Sequence, residues 1–65
     1  MEFVIDKAEK ALRITVDDHL TIGFFKSDIK DNPNWIDDWA VPRIERHFEC
    51  VMTDKDKDDL GKAVK

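Results

Sequence analysis

Three segments near the start of the chain alternate apolar and polar residues with a period of two, which is the signature of a strand with one face buried. They are EFVID (2–6), ALRITV (11–16) and LTIGFF (20–25). In the second, Leu12, Ile14 and Val16 fall on one face against Arg13 and Thr15; in the third, Leu20, Ile22 and Phe24 oppose Thr21 and Gly23. The intervening DDH (17–19) is short and polar enough to join antiparallel neighbours, and KAEK (7–10) supplies the first connection or a single helical turn. The pattern predicts a three-stranded antiparallel meander.

After Lys26 the period changes. SDIKDNPN (27–34) is rich in turn formers, and Pro33 pushes Asn32 out of the helical region, so this stretch reads as the boundary between sheet and helix. Asn34 is placed to cap a helix from Trp35, with Asp37 and Asp38 in its first turn and Trp35 and Trp39 on one face. Pro42 cannot sit in an unbroken helix, so either a kink or a new helix with Pro42 in its first turn is expected. Ile44, Phe48 and Val51 or Met52 then recur at helical spacing; a fourth strand across HFECVMT, with Phe48, Cys50 and Met52 on one side, competes with that reading. The fold class is α+β in a single domain, 1–65: a three-stranded antiparallel sheet followed by two or three short helices at about 34–41, 42–52 and 54–64.

The last of these helices contains DKDKDD (54–59), whose alternating aspartates invite comparison with a calcium loop. Asp54, Asp56 and Asp58 match ligand positions 1, 3 and 5 of an EF-hand, but Asp59 stands where the turn needs glycine and Lys65 where it needs glutamate. A helix start explains the run better. Thr53 and Asp56 approximate a capping box, the aspartates sit at the positive end of the helix dipole, and Lys62 and Lys65 sit at the negative end. Leu60 and Val64, with Ala63, form its narrow apolar stripe, which Gly61 weakens by about 1 kcal/mol relative to alanine.

Composition narrows the function classes. A 65-residue chain supports one modest core, and with a lone cysteine, Cys50, no internal disulfide can staple it. No apolar run approaches the roughly 20 residues that span a bilayer, and MEFVIDKAEK is acidic and alternating where a secretory leader is basic and then apolar. A cytoplasmic protein without membrane contact is the expectation. His47 and Cys50, three apart, would share a helix face as an activated thiol or two metal ligands, yet no orienting partner or further ligands accompany them. His19, beside Asp17 and Asp18, reads as a loop residue, and the adjacent Asp37 and Asp38 diverge by about 100 degrees on a helix rather than facing each other as an acid and base. No catalytic residue, metal site or cofactor is implied, and an enzyme is not expected.

The net charge of -4 is unevenly spread. Residues 27–42 carry Asp28, Asp31, Asp37 and Asp38 against Lys30 alone, whereas 43–53 and 54–65 are each balanced. Direct nucleic-acid binding calls for the opposite sign; the nearest basic feature is Arg43 and Arg46, each beside a glutamate in sequence. Carboxylates interleaved with two tryptophans suit a protein-binding surface, with aromatic anchors and a steering field, although Trp35 and Trp39 at helical spacing equally suit a core stripe. On acidic stretches such as SDIKDNPNWIDDW and VDDH, the chain resembles small phage-encoded inhibitors, including the nucleic-acid mimics among anti-CRISPR proteins. That resemblance implies a viral, non-catalytic inhibitor whose protein partner has a basic nucleic-acid-binding surface. Asp28, Asp31, Asp37 and Asp38 are then the first contact candidates, Asp17 and Asp18 the second, and Trp35 and Trp39 the aromatic ones. The alternative is a structural or regulatory module, a homodimer or accessory subunit, that associates through an exposed apolar aromatic surface such as Phe25, Trp35 or Trp39.

Overall fold

The computed structural model describes all 65 residues and contains the expected meander: β1 (Phe3–Lys7), β2 (Ala11–Val16) and β3 (Leu20–Phe25), antiparallel in the order β1-β2-β3. Register explains which face is buried. The cross-strand rows Phe3–Val16–Leu20, Ile5–Ile14–Ile22 and Lys7–Leu12–Phe24 line the inner face. Rows Val4–Thr15–Thr21 and Asp6–Arg13–Gly23, with the pair Ala11–Phe25, line the outer one. Ile14 and Val16 on the central strand are fully buried, whereas Val4 and Phe25 on the outer face are 51% and 65% exposed. The β2–β3 connection places Asp17 and Asp18 both at left-handed φ, a tight reversal closed by the His19 N–H donating to the Val16 carbonyl.

Two segments differ from the sequence reading. SDIKDNPN is not only a boundary: Lys26–Asp31 forms a short helix, α1, that continues directly from β3 and buries none of its residues. It also takes over the capping geometry, because Asn32 rather than Asn34 holds the following turn. The Asn32 Oδ1 accepts the Asn34 N–H at 3.1 Å, and the Asn32 carbonyl accepts the Trp35 N–H. The expected helix at 34–41 is a wide turn of π type at Ile36–Ala40, which runs without a break into α2 (Val41–Phe48). Pro42 accounts for the widening. It has no N–H to offer the Asp38 carbonyl, and its ring would collide with that carbonyl in a regular helix; the Val41 N–H instead reaches back five residues to Ile36. Pro42 thus lies in the first turn of α2, as expected.

The helix expected to run to residue 52 stops at Phe48, and no fourth strand forms across 47–53. Glu49 turns left-handed (φ 51°, ψ 46°), and the Glu45 carbonyl accepts the N–H groups of both Glu49 and Cys50, a C-terminal closure usually built on glycine. The Glu45 carboxylate then accepts the Met52 N–H at 2.8 Å, so one residue fastens the reversal that buries Met52. Helix α3 (Asp54–Val64) begins with a complete capping box between Thr53 and Asp56, each accepting the other's backbone N–H at 3.2 Å. Its Leu60 is fully buried and joins the same core as Ile44, also fully buried, while the helix packs on β1. No helix is long and apolar enough to cross a membrane.

Candidate interaction surface

Phe24 organises the region that joins sheet and helices. Trp35 meets its ring edge-on at 5.2 Å between centroids, Trp39 stacks on it at 5.9 Å and 14°, and the Arg43 guanidinium lies 6.0 Å from its centroid. Trp35 and Trp39 therefore share a face, but with different consequences. Trp35 is only 7% exposed and belongs to the core, so it leaves the set of contact candidates; Trp39 remains half-buried, with part of its indole at the surface. Beside it opens a shallow cleft of about 250 Å³ lined by Phe25, Asp28, Trp39 and Arg43, with Gly23 and Phe24 at its floor.

The four leading aspartates divide between two elements, Asp28 and Asp31 on α1 and Asp37 and Asp38 on the π turn, and of them Asp28 lines the cleft. All four side chains are exposed, and none forms an ion pair. Asn32 ties the two elements together by donating from Nδ2 to Asp38 Oδ2 at 3.1 Å. The carboxylates are thus displayed on braced helical ends. Asp17 and Asp18 lie elsewhere, at the opposite end of β3, roughly 17 Å away for a six-residue strand. Asp17 is committed to structure, since its carboxylate accepts the Glu2 N–H at 2.7 Å and its own N–H reaches the Glu2 carbonyl at 2.9 Å. The second pair of candidates does not join the first.

The pairing of His47 with Cys50 on one helix face is overturned by the end of α2 at Phe48: His47 is in its last turn, exposed and edge-on to the Phe48 ring at 4.8 Å, while Cys50 lies past the left-handed Glu49. No group of three or more His, Cys, Asp or Glu side chains is gathered as a metal site. Two ionisable groups are displaced from their ordinary values, and both have local structural causes. The Asp56 carboxyl is held low by its backbone and side-chain hydrogen bonds with Thr53 and, less, by the Met1 amine 3.3 Å away; the Lys62 ammonium is held high by its bond and attraction to Asp58 at 2.9 Å.

Arg43 and Arg46 lie close to Glu45 and Glu49 in sequence. The structure separates them: Glu45 is bonded to the Met52 N–H, and neither arginine has a carboxylate within ion-pair distance. With His47 they line a groove of about 520 Å³ between α2 and β3. The spacing of 43, 46 and 47 on a helix was the available signal for a shared face.

No family model matches the chain, and no curated protein or solved structure matches it either.

Proposed function

We infer that the protein is a non-catalytic binding protein that docks its acidic end on a basic surface of a protein partner, in the manner of a cytoplasmic phage-encoded inhibitor of a nucleic-acid-binding protein. The observation that carries this reading is the concentration of exposed carboxylates without ion pairs on two successive elements, Asp28 and Asp31 on α1 and Asp37 and Asp38 on the π turn, with Asp28 also lining the cleft beside Phe25 and Trp39. Short carboxylates on braced helical ends hold negative charge at fixed positions, as phosphates do, and the exposed Phe25 ring adds an anchor that a nucleic acid supplies by stacking. The resemblance to anti-CRISPR nucleic-acid mimics supports the same reading.

The alternative, a homodimer or accessory module held by apolar surface, has weaker support. Val4 and Phe25 share the outer sheet face, but the row Asp6–Arg13–Gly23 separates them, so the face lacks a continuous apolar patch. The test is affinity capture from nuclease-treated bacterial lysate with the wild type and with Asp28, Asp31, Asp37 and Asp38 all replaced by asparagine. A nucleic-acid-binding protein recovered by the wild type alone, and released by high salt, supports the reading; equal recovery by both forms in high salt contradicts it and favours the apolar alternative.

A further inference from the structure

We propose that the groove between β3 and α2 is a second binding site, which takes an extended acidic peptide segment of a partner protein as a fourth strand on the edge of β3. The groove is lined by four consecutive strand residues, Leu20 to Gly23. A sheet face offers alternate residues, so four in a row mean that the groove follows the strand's edge. The hydrogen bond from the Lys26 N–H to the Lys10 carbonyl fixes the parity of the β2–β3 ladder: even-numbered residues of β3 bond β2, and Thr21 and Gly23 direct their N–H and C=O outward. No other strand pairs with that edge, and no side chain bonds those groups. An unpaired edge of this kind is a template for strand addition. Gly23 fits the role, since a Cβ there would meet nothing within 4 Å and its φ is not positive; neither packing nor backbone geometry within the chain calls for glycine. Glycine inside a strand often marks the close approach of another backbone.

The opposite wall decides the occupant's chemistry. Arg43, Arg46 and His47 face the groove, and both guanidiniums lack carboxylate partners. A strand whose side chains on that wall are Asp or Glu would satisfy them with charge-assisted bonds. A second copy pairing β3 to β3 fits poorly, because LTIGFF carries no acid and the guanidiniums would lose water without gaining partners. A DNA backbone would satisfy the arginines but offers acceptors only, leaving the outward carbonyls of Thr21 and Gly23 without donors, and the 2′-hydroxyls of RNA lack the strand spacing that would meet both carbonyl and N–H of each residue. A peptide supplies both donor and acceptor.

The experiment is an amide-resonance titration of the full chain with a capped octapeptide alternating glutamate and threonine. Its controls are the glutamine counterpart, a fully N-methylated counterpart that keeps the charge but cannot donate, and oligothymidylate. Saturable movement of the Thr21 and Gly23 amides is expected, at least about tenfold weaker in Arg43→Gln/Arg46→Gln and for the glutamine peptide, and absent for the N-methylated one. Gly23→Pro, which removes an outward N–H and leaves the β2 ladder intact, should abolish binding; if that variant does not fold, the N-methylated peptide makes the same test on the intact protein. Equal binding of the N-methylated or glutamine peptide, tighter binding of oligothymidylate, or no movement at Thr21 and Gly23 would overturn the proposal. Arg43 and Gly23 also border the cleft beside Trp39, but Asp28, Asp31, Asp37 and Asp38 are unchanged in every variant, so failure of the peptide titration is distinguishable from failure of the proposed function.

Discussion

Asn32 and Asp38 are joined by a 3.1 Å hydrogen bond that spans the turn between α1 and the π turn, and Asn32 simultaneously accepts the Asn34 N–H. This one side chain sets the spacing of two acidic elements that are otherwise linked only by a proline-containing loop. Asn32→Ala is predicted to lower stability by about 1–2 kcal/mol, since it removes one exposed bond to a carboxylate and one to a backbone N–H, and to weaken partner binding more than that loss of folded protein explains. Thermal melts alongside binding at a temperature where both forms are folded check this. Asp38→Asn keeps an acceptor for Asn32, so it should reduce binding with little change in melting temperature.

Glu45 carries the reversal between α2 and α3. Its carboxylate bond to the Met52 N–H is partly buried, so Glu45→Ala should cost about 1.5–3 kcal/mol, and Glu45→Gln, which retains a neutral acceptor, clearly less. Chemical denaturation of the three proteins gives the order directly. Against a total of about 3–10 kcal/mol for a chain of this length, the alanine variant should be visibly marginal.

Glu49 closes α2 in a left-handed conformation without being glycine. Glu49→Gly removes the clash of Cβ with the backbone, and a gain of up to about 1 kcal/mol is predicted. A decrease in the denaturation midpoint would mean that the Glu49 side chain contributes something the backbone geometry does not reveal.

The capping box gives the pH dependence. Asp56 has a folded value below its ordinary one, so its contribution is fully present above the unfolded carboxylate range, near pH 4, and is lost as pH falls through the lowered folded value. Lys62 is raised, so its contribution holds below about pH 10.4 and is lost as pH rises through the folded value. Thr53→Ala should cost about 1 kcal/mol at neutral pH and should flatten the acid limb of the stability profile, because Asp56 loses its main stabilising partner. An unchanged acid limb would show that the cap does not hold the Asp56 carboxylate.

What was legible in the sequence was local and periodic. Alternation in ALRITV and LTIGFF fixed the strands and the buried face, and the Thr53–Asp56 spacing fixed the start of α3. Helix α1 escaped because it has no apolar stripe; Ile29 alone is partly buried, and the segment is helical as a continuation of β3. The end of α2 escaped because it depends on a glutamate in a conformation that sequence assigns to glycine. Charge signs were readable, but the partners were not: Asp17 is bonded to the Glu2 backbone, Glu45 to the Met52 N–H and Asp38 to Asn32, and Arg43 and Arg46 have no ion pair with the nearby glutamates.

Under the proposed function, the acidic end competes with nucleic acid for a basic surface. The most direct measurement of that competition is displacement of labelled nucleic acid from the captured partner, followed by anisotropy, with wild type and the Asp28/Asp31/Asp37/Asp38→Asn variant at low and high salt. Displacement by the wild type is expected to weaken as salt rises and to be lost in the variant. Formation of a ternary complex in which the nucleic acid stays bound, or equal displacement by the uncharged variant, would contradict it.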